Sequence, residues 1–580
     1  MATLVAEGSR RSSITLMEHK NNPPAASVGP SPLDREIAQD ELEFEIYGGN
    51  DIHDPPSKEV ASITPTPTFT EPAQDPNRVF WNGANDLENP QNWSVRRKWG
   101  ITAVCIMMTV NVTFASSAPT AATHAVIATF GISAEVSYLM TTTFLLGYVF
   151  GPLFWGPGSE LWGRRPIFLI AMISYTVLHL GQALAKNIET LLVTRFLSGF
   201  FAVAPMTNCG GVIADIWSAE TRGLATSLFT ASVFMGPVMG PIVAGYIVES
   251  SLSWRWVFWV MMMFAGACTL LMIILLPETY APVLLQKRAR RLRKADPEKN
   301  HAIYAEHERS DWSFKGVLHR TLFRPFKMLA MEPILLLVTF YVSIVYAILY
   351  ALFQAFPIIF VSKRGFTIAQ DGLIFIGIGI GTSLGSLINV FTSRHYPALI
   401  AKWKGFPPPE ERLYGAMIGG PCLVVGIFWL GWTGEYSSIP WYVPALSSLF
   451  LGTSISLIFI SFLSYLVDTY LMYSASAFAA NTMCRSAAAA AFPLFTVQMF
   501  TKVVASPRTS YQGDLLFYLL DGRKLGVYTL RYTRLDTRSI TISVQEIWAA
   551  HSCAQQVCSL YCMSPPSHTF LFPIPDEYCV

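Results

Sequence analysis

The chain is 580 residues long, 52% hydrophobic and only 14% charged, with a positive mean hydropathy. Soluble globular domains carry charge on about a quarter of their residues, so an ordinary soluble globule is excluded. The net charge of +2 is too small to suggest a nucleic-acid partner, and its distribution along the chain says more than its sum.

Residues 1–98 are rich in Pro, Ser, Thr, Asp and Glu. They hold no apolar run able to span a bilayer or build a core, which predicts a disordered cytoplasmic arm. No charged-then-apolar secretion signal follows Met1, so the first membrane helix is expected to act as the insertion signal. A membrane helix needs about 20 mostly apolar residues. Such runs fall near 100–121, 136–156, 166–185, 190–214, 223–247 and 256–276, and again near 333–360, 372–392, 413–432, 441–466 and 474–499. Between the two sets, 277–331 is a polar loop with a basic cluster of Lys287, Arg288, Arg290, Arg291, Arg293 and Lys294. Arg96, Arg97, Lys98, Arg164, Arg165, this cluster, and Lys402, Lys404 and Arg412 all fall on one side of these spans. Positive charge favours the cytoplasm, which places the N-terminus inside. The expected divisions are the arm 1–98, a first bundle 99–276, the loop 277–331, a second bundle 332–500 and an atypical tail 501–580.

The turn from Gly151 to Pro166 reads GPLFWGPGSELWGRRP. Gly156 and Gly163 allow a tight turn, while Glu160, Arg164 and Arg165 must be paired at the bilayer edge. A loop that merely orients the protein explains the arginines but not the spaced glycines or the acid. Arg195 to Arg222 reads RFLSGFFAVAPMTNCGGVIADIWSAETR. Arg195 lies about one turn inside an apolar helix, where it either serves function or snorkels to the outer surface. Gly199, Gly210 and Gly211 allow close helix approach, and Asp215 can pair with Arg164 or Arg165. In SVFMGPVMGPIVAG, Gly236-Pro237 and Gly240-Pro241 repeat at a spacing of four and Gly245 closes the segment, predicting a kinked and tightly packed helix.

These motifs occur with ENPQNWSVRRKW at 88–99, WRWVFW at 254–259, LPETYAPVLLQKRARRLR at 276–293, FQAFPIIF at 353–360 and NTMCRSAAAAAFPLF at 481–495. Together they resemble the major facilitator superfamily, and within it the fungal twelve-spanner drug:H+ antiporters, over about residues 80–500. The resemblance implies an all-α polytopic membrane protein of the major facilitator fold. Two six-helix bundles would then hold the substrate between them near the midplane. It implies that Gly156, Glu160, Gly163, Arg164, Arg165, Asp215 and Arg222 form a cytoplasmic gate whose latch holds the outward-open state. It implies that Arg195 is linked to proton transfer, and that Gly236, Pro237, Gly240, Pro241 and Gly245 form the motif of exporters rather than importers. The implied partners are a small-molecule substrate, protons and the lipid bilayer, with a monomer in the plasma membrane expected. A proton gradient would drive transport, so no cofactor, metal or nucleic acid is expected.

The chain departs from that pattern after about residue 502. The best candidate for a twelfth span, Leu515 to Leu530, carries Asp521, Arg523 and Lys524 at its centre, which would cost several kcal/mol. A tail read through an intron or in another frame would explain this. A genuine external tail, with Cys553, Cys558, Cys562 and Cys579 in disulfides, is the alternative. Cys105, Cys209, Cys268, Cys422 and Cys484 fall in apolar segments and read as free thiols.

Proton antiport needs a titratable group, yet the acids in or near spans are few: Glu135, Glu160, Asp215, Glu332, Asp371 and Asp468. None falls securely at the midplane, and His124 reads as an interfacial residue. Asn111, Phe114, Asn208, Phe229, Tyr346 and Gln354 are the polar and aromatic candidates for a substrate cavity, though each aromatic alone could equally serve packing. Scarce midplane acids argue against a strongly cationic substrate. The expected function is export of small lipophilic molecules such as drugs, toxins or secondary metabolites by alternating access. The alternatives are a polyamine or nutrient carrier, and a membrane sensor on a transporter scaffold. No nucleophile–base pair, metal cluster or phosphate loop suggests an enzyme.

Overall fold

The computed structural model describes residues 77–504, apart from 84, 219–220, 299, 310–322, 403–406 and 471–473. The tail, the twelfth-span candidate and most of the N-terminal arm lie outside these residues. The long helices of the first half are α1 (Val95–Ser117), α2 (Ala134–Phe150), α3 (Arg164–Ala183), α4 (Ile188–Ile216), α5 (Arg222–Glu249) and α6 (Arg255–Leu275). Those of the second are α7 (Pro333–Phe356), α8 (Ile368–Thr392), α9 (Tyr414–Glu435), α10 (Tyr442–Tyr470) and α11 (Ser474–Val504). Nine helices among the described residues are long and apolar enough to cross a membrane, or ten when a bent pair is counted as one span. That pair is α2 with its continuation Pro152–Leu161, bent by 40° at the junction. Pro152 has no N–H to complete the helix ladder there, which is why the bend falls where it does.

Local chemistry sets the other boundaries. Asn187 caps α4 by accepting from Thr190 N at 3.1 Å, and Thr367 with Gln370 forms a capping box on α8. Past α1 the chain continues through a short 3-10 turn, Ala118–Ala122, and the helix Thr123–Phe130, so its apolar stretch is longer than the expected 100–121.

The face holding the start of α1, the turn before α3 and the central segment is called the loop face. Toward the opposite face the two halves meet along two seams, α5 against α8 and α2 against α11. Here Ala369 N donates to Glu249 Oε2 (3.2 Å), Thr142 Oγ1 donates to the Ala490 carbonyl (2.9 Å), and the hydroxyls of Ser116 and Tyr350 lie 2.8 Å apart. A side chain at Gly372 would place its Cβ 2.6 Å from the Pro241 carbonyl, so this seam closes only on hydrogen.

The arm expected to run to residue 98 ends earlier than that. Residues 77–93 are held against the central segment, where Ala281–Ala295 forms a basic helix. Val79 N and Tyr304 N exchange backbone bonds across this contact (3.0 Å to the Tyr304 carbonyl and 2.9 Å to the Asn77 carbonyl). Asp86 accepts from Arg288 at 2.6 Å and Glu88 from Arg291 at 3.0 Å, while Val79, Ala289 and Ala305 bury a small apolar cluster. The basic loop is thus partly neutralised by acids of the strap and of its own segment, including Glu308 paired with Arg293. Hydrogen bonds from Arg288, then from backbone amides, hold the Asp86 carboxyl down at about 2. A depressed carboxyl stabilises docking above the free value of about 3.9 and loses that contribution as pH falls toward about 2. Hydrogen exchange across 77–93 should therefore be protected at mildly acidic pH and released between these two values. Asp86→Asn should release it already at neutral pH. Equal protection in variant and parent would show that the apolar cluster alone holds the strap.

Candidate functional site: a charged latch and a chamber of buried arginines

At the loop face, Gly163 turns the chain with φ +97°, a region that favours glycine, and α3 starts at the next residue. The four orphan amides of a helix start need acceptors. The Glu278 carboxylate, between α6 and the basic helix, accepts from Arg164 N at 2.9 Å and Arg165 N at 3.2 Å, and also from Thr279 N and Tyr280 N. A Cβ at Gly163 would come within 2.7 Å of the Glu278 carboxyl carbon, so glycine is required twice over. Arg164, now fixed at its backbone, sends its side chain inward. Its Nε lies 3.2 Å from Asp215 Oδ2, its guanidinium donates to Ser159 Oγ at 2.6 Å, and the Tyr280 ring lies 4.8 Å away. Burial, with Glu160 as a lesser cause, pushes the Tyr280 hydroxyl up to about 12, so the ring beside the guanidinium stays neutral.

The sequence-derived gate residues separate in this arrangement. Arg164, Asp215 and Gly163 meet. Arg165 turns away and donates to the Ile273 carbonyl at the end of α6 (3.1 Å). Glu160 lies in electrostatic range of Tyr280, and Arg222 opens α5 with its side chain outside the described part. Gly156, expected to help make the turn, is instead helical within Pro152–Leu161 and has open space where a side chain would go. Asn208, a candidate to face either a substrate cavity or another helix, does the latter and belongs to the latch: it accepts from Ser159 Oγ (3.0 Å) and donates to the Trp155 carbonyl (3.1 Å). The latch forms here while the opposite-face seam is closed, so its formation does not require an outward-open state.

Deeper in the first half, Arg195 is completely buried and does not snorkel. It donates to the Met140 carbonyl at 3.0 Å and the Ala115 carbonyl at 2.9 Å, with its guanidinium 4.3 Å from the Phe144 ring. Its remaining terminal nitrogen has no partner, and neither amide atom of the buried Asn111 has one. Tyr148 and Tyr175 bond backbone carbonyls of α1 from α2 and α3. From the second half come Tyr346 and Tyr350 on α7, Phe459 on α10 and Arg485 on α11. The Arg485 guanidinium sits 5.4 Å from the Tyr346 ring and 5.5 Å from the Phe459 ring. Tyr148 and Tyr350 are in electrostatic range of both Arg195 and Arg485, so the two halves share one polar, aromatic-lined interior, called the chamber below. Arg485 was missed in the sequence, although the rule that singled out Arg195, charge inside an apolar run, applies to it equally.

Of the other cavity candidates, Phe114 is buried edge-on against Phe264 of α6, and Gln354 is buried on α7. Phe229 lies beside Gly210 of α4. On α5, a Cβ at Gly236 would meet Phe114 N at 2.6 Å and one at Gly240 would meet Ala118 N at 2.8 Å, so both pack on α1 of the same half. Gly245 and the Pro241 carbonyl instead meet α8 of the other half. The helix runs unbroken through Pro237 and Pro241.

Two bundles of membrane helices meeting around a polar chamber define a multi-pass membrane transporter. The comparisons with known proteins agree. The family model described as Major Facilitator Superfamily matches residues 100–493, and the chain belongs to that superfamily. An uncharacterized transporter of Schizosaccharomyces pombe is 42% identical over 74% of this chain and 73% of its own length. The ascochitine biosynthesis cluster MFS transporter of Didymella fabae is 40% identical over 73% of this chain and 82% of its own length. The MFS-type efflux pump MFS2 of Trichophyton rubrum is 41% identical over 70% and 68%. Among solved structures, the Escherichia coli xylose transporter XylE, in a partially occluded inward-open conformation, superposes with a TM-score of 0.53 at 17% identity. That likeness covers 77% of this chain and all of that one, and establishes the fold alone. The chain is a transporter of small molecules and not an enzyme.

Gly163 and Gly156 separate the roles of two glycines that look alike in the sequence. A left-handed position costs an L-residue about 1–2 kcal/mol, whereas replacing a helical glycine by alanine stabilises by about 0.4–1 kcal/mol. In thermal unfolding of the detergent-purified protein, Gly163→Ala should lower the midpoint and Gly156→Ala should hold or raise it. A loss at both positions would mean that Gly156 also serves a turn.

Proposed function

We propose that this chain is a proton-coupled exporter of small lipophilic compounds, drugs, toxins or fungal secondary metabolites, working by alternating access as a monomer. The observation that carries the reading is the wedge formed by α5. Its Gly236 and Gly240 fix it to α1, while Pro241 and Gly245 lie on α8 at the seam between halves. A helix bound on glycine to its own half and to the opposite half is suited to rocking one bundle on the other. The doubled Gly-Pro pair is the sequence feature that favours export over uptake. Relatives named as an efflux pump and as a biosynthesis-cluster transporter support the same direction.

In this reading the loop face is cytoplasmic, in keeping with its basic residues, and the protein resides in the plasma membrane. The latch of Arg164, Asp215 and Glu278 keeps the first bundle rigid while the seams open and close. Arg195, bound to carbonyls of α1 and α2, relays a change of protonation in the chamber to the helices that line it. The proton gradient is the driving force and no bound cofactor is required.

Growth of a pump-deficient yeast expressing the full chain, across a panel of toxic compounds, tests this. Tolerance to at least one compound should rise. Losing the charge-assisted bonds of Arg164 through Arg164→Ala should lower transport by roughly tenfold or more with surface abundance largely kept. Unchanged tolerance across the panel despite plasma-membrane localisation would overturn export. Lost abundance with normal transport per molecule would reduce Arg164 to an orientation signal.

A further inference from the structure

Among the described residues three arginines are buried, Arg164, Arg195 and Arg485, and the first two are matched to acceptors, as is the half-buried Arg364. Arg164 has Asp215 and Ser159, Arg195 has two carbonyls, and Arg364 has the carbonyls of Ile359, Thr433, Gly434 and Tyr436. Arg485 is only 6% exposed, yet no described residue accepts a hydrogen bond from it and no carboxylate stands against it. Among the described residues, the rings of Tyr346 and Phe459 are what stands against its guanidinium. Five N–H donors in a fixed planar fork, held by rings that cannot accept in-plane bonds, match the geometry of a carboxylate. Other buried polar atoms without a partner lie on the helices of both halves: both amide atoms of Asn111, one nitrogen of Arg195, Ser486 Oγ and Asn481 Oδ1. The walls between them are aromatic, from Tyr148, Tyr346, Tyr350 and Phe459.

We propose that the chamber between the two halves takes an organic anion, a carboxylate or enolate on a flat apolar frame, with Arg485 binding its charge and the tyrosines its frame. This names the substrate class of the exporter proposed above and rests on that reading for its direction of transport. Arg195 adds positive potential from the facing half but keeps its bonds to α1 and α2. Arg485 is the donor free to engage cargo. A cation would meet two guanidinium groups with no compensating acid, and a neutral molecule would leave the Arg485 charge unmatched.

Binding to the purified full-length protein, by equilibrium dialysis, tests this without reference to transport. The probes are labelled naphthoate and two isosteres, neutral naphthamide and cationic naphthylmethylammonium. Naphthoate should bind at least about tenfold tighter than either. Arg485→Gln should weaken naphthoate by about tenfold to a hundredfold and leave naphthamide unchanged, with Arg485→Lys in between. Naphthamide binding also reports that each variant is folded. Naphthoate binding no tighter than naphthamide, or Arg485→Gln weakening all probes alike, would overturn the anion site. Arg485-dependent naphthoate binding in a chain that moves nothing outward in cells would keep the site and remove the exporter reading. Outward movement of neutral compounds without anion preference would do the reverse.

Discussion

A guanidinium taken out of water has to find its hydrogen bonds again inside the protein, and this requirement organises the molecule. Leaving a charge uncompensated in a low-dielectric interior costs several kcal/mol, so each buried arginine fixes whatever supplies its acceptors. At the loop face, Arg164 draws together the end of α2, the start of α3 and the end of α4 through Ser159, Asp215 and its own backbone on Glu278. Halfway through the first bundle, Arg195 ties α4 to carbonyls of α1 and α2. These two make the first half behave as one body. Arg485, on the other side of the seam, is held only by rings, and its position is therefore where the protein has charge to offer a ligand.

Mobility between the halves needs a contact of a different kind. The α5–α8 seam uses backbone and glycine rather than ion pairs, so separation breaks no buried charge interaction. Dispersion and a single Ala369–Glu249 bond are lost, terms that are individually small. Strong, directional bonds inside each half and weaker contacts at the α5–α8 seam are what the proposed rigid-body rocking requires.

Much of this was legible in the sequence because it depends on local rules. Apolar run length located the spans, and the Gly-Arg-Arg turn with Asp215 located the latch, since an acid and a base at one bilayer edge must pair. Glu278 was quoted as part of a motif without a role, because its partner amides lie more than a hundred residues earlier and only the folded chain brings them together. Gly156 was misplaced since glycine with proline reads as a turn, whereas the bend actually falls at Pro152 and helix resumes after it. Depth alone leaves Asn208 facing either the cavity or another helix. Its angular position on α4, which decides whether it meets Ser159 or the chamber, is not fixed by depth. Arg485 hid in an alanine-rich run, although the cost of burying its charge was evident from the sequence alone.

In the proposed cycle, rocking of these two halves exchanges a proton for an exported molecule. The most direct measurement uses the full chain in proteoliposomes with a compound to which it confers tolerance in yeast at equal concentration on both sides, and a pH gradient imposed across the membrane. The proposed exchange requires movement of the compound against its own gradient, coupled to proton flow in the opposite direction and abolished by a protonophore. Movement that only runs downhill, or that a protonophore leaves unchanged, would contradict it.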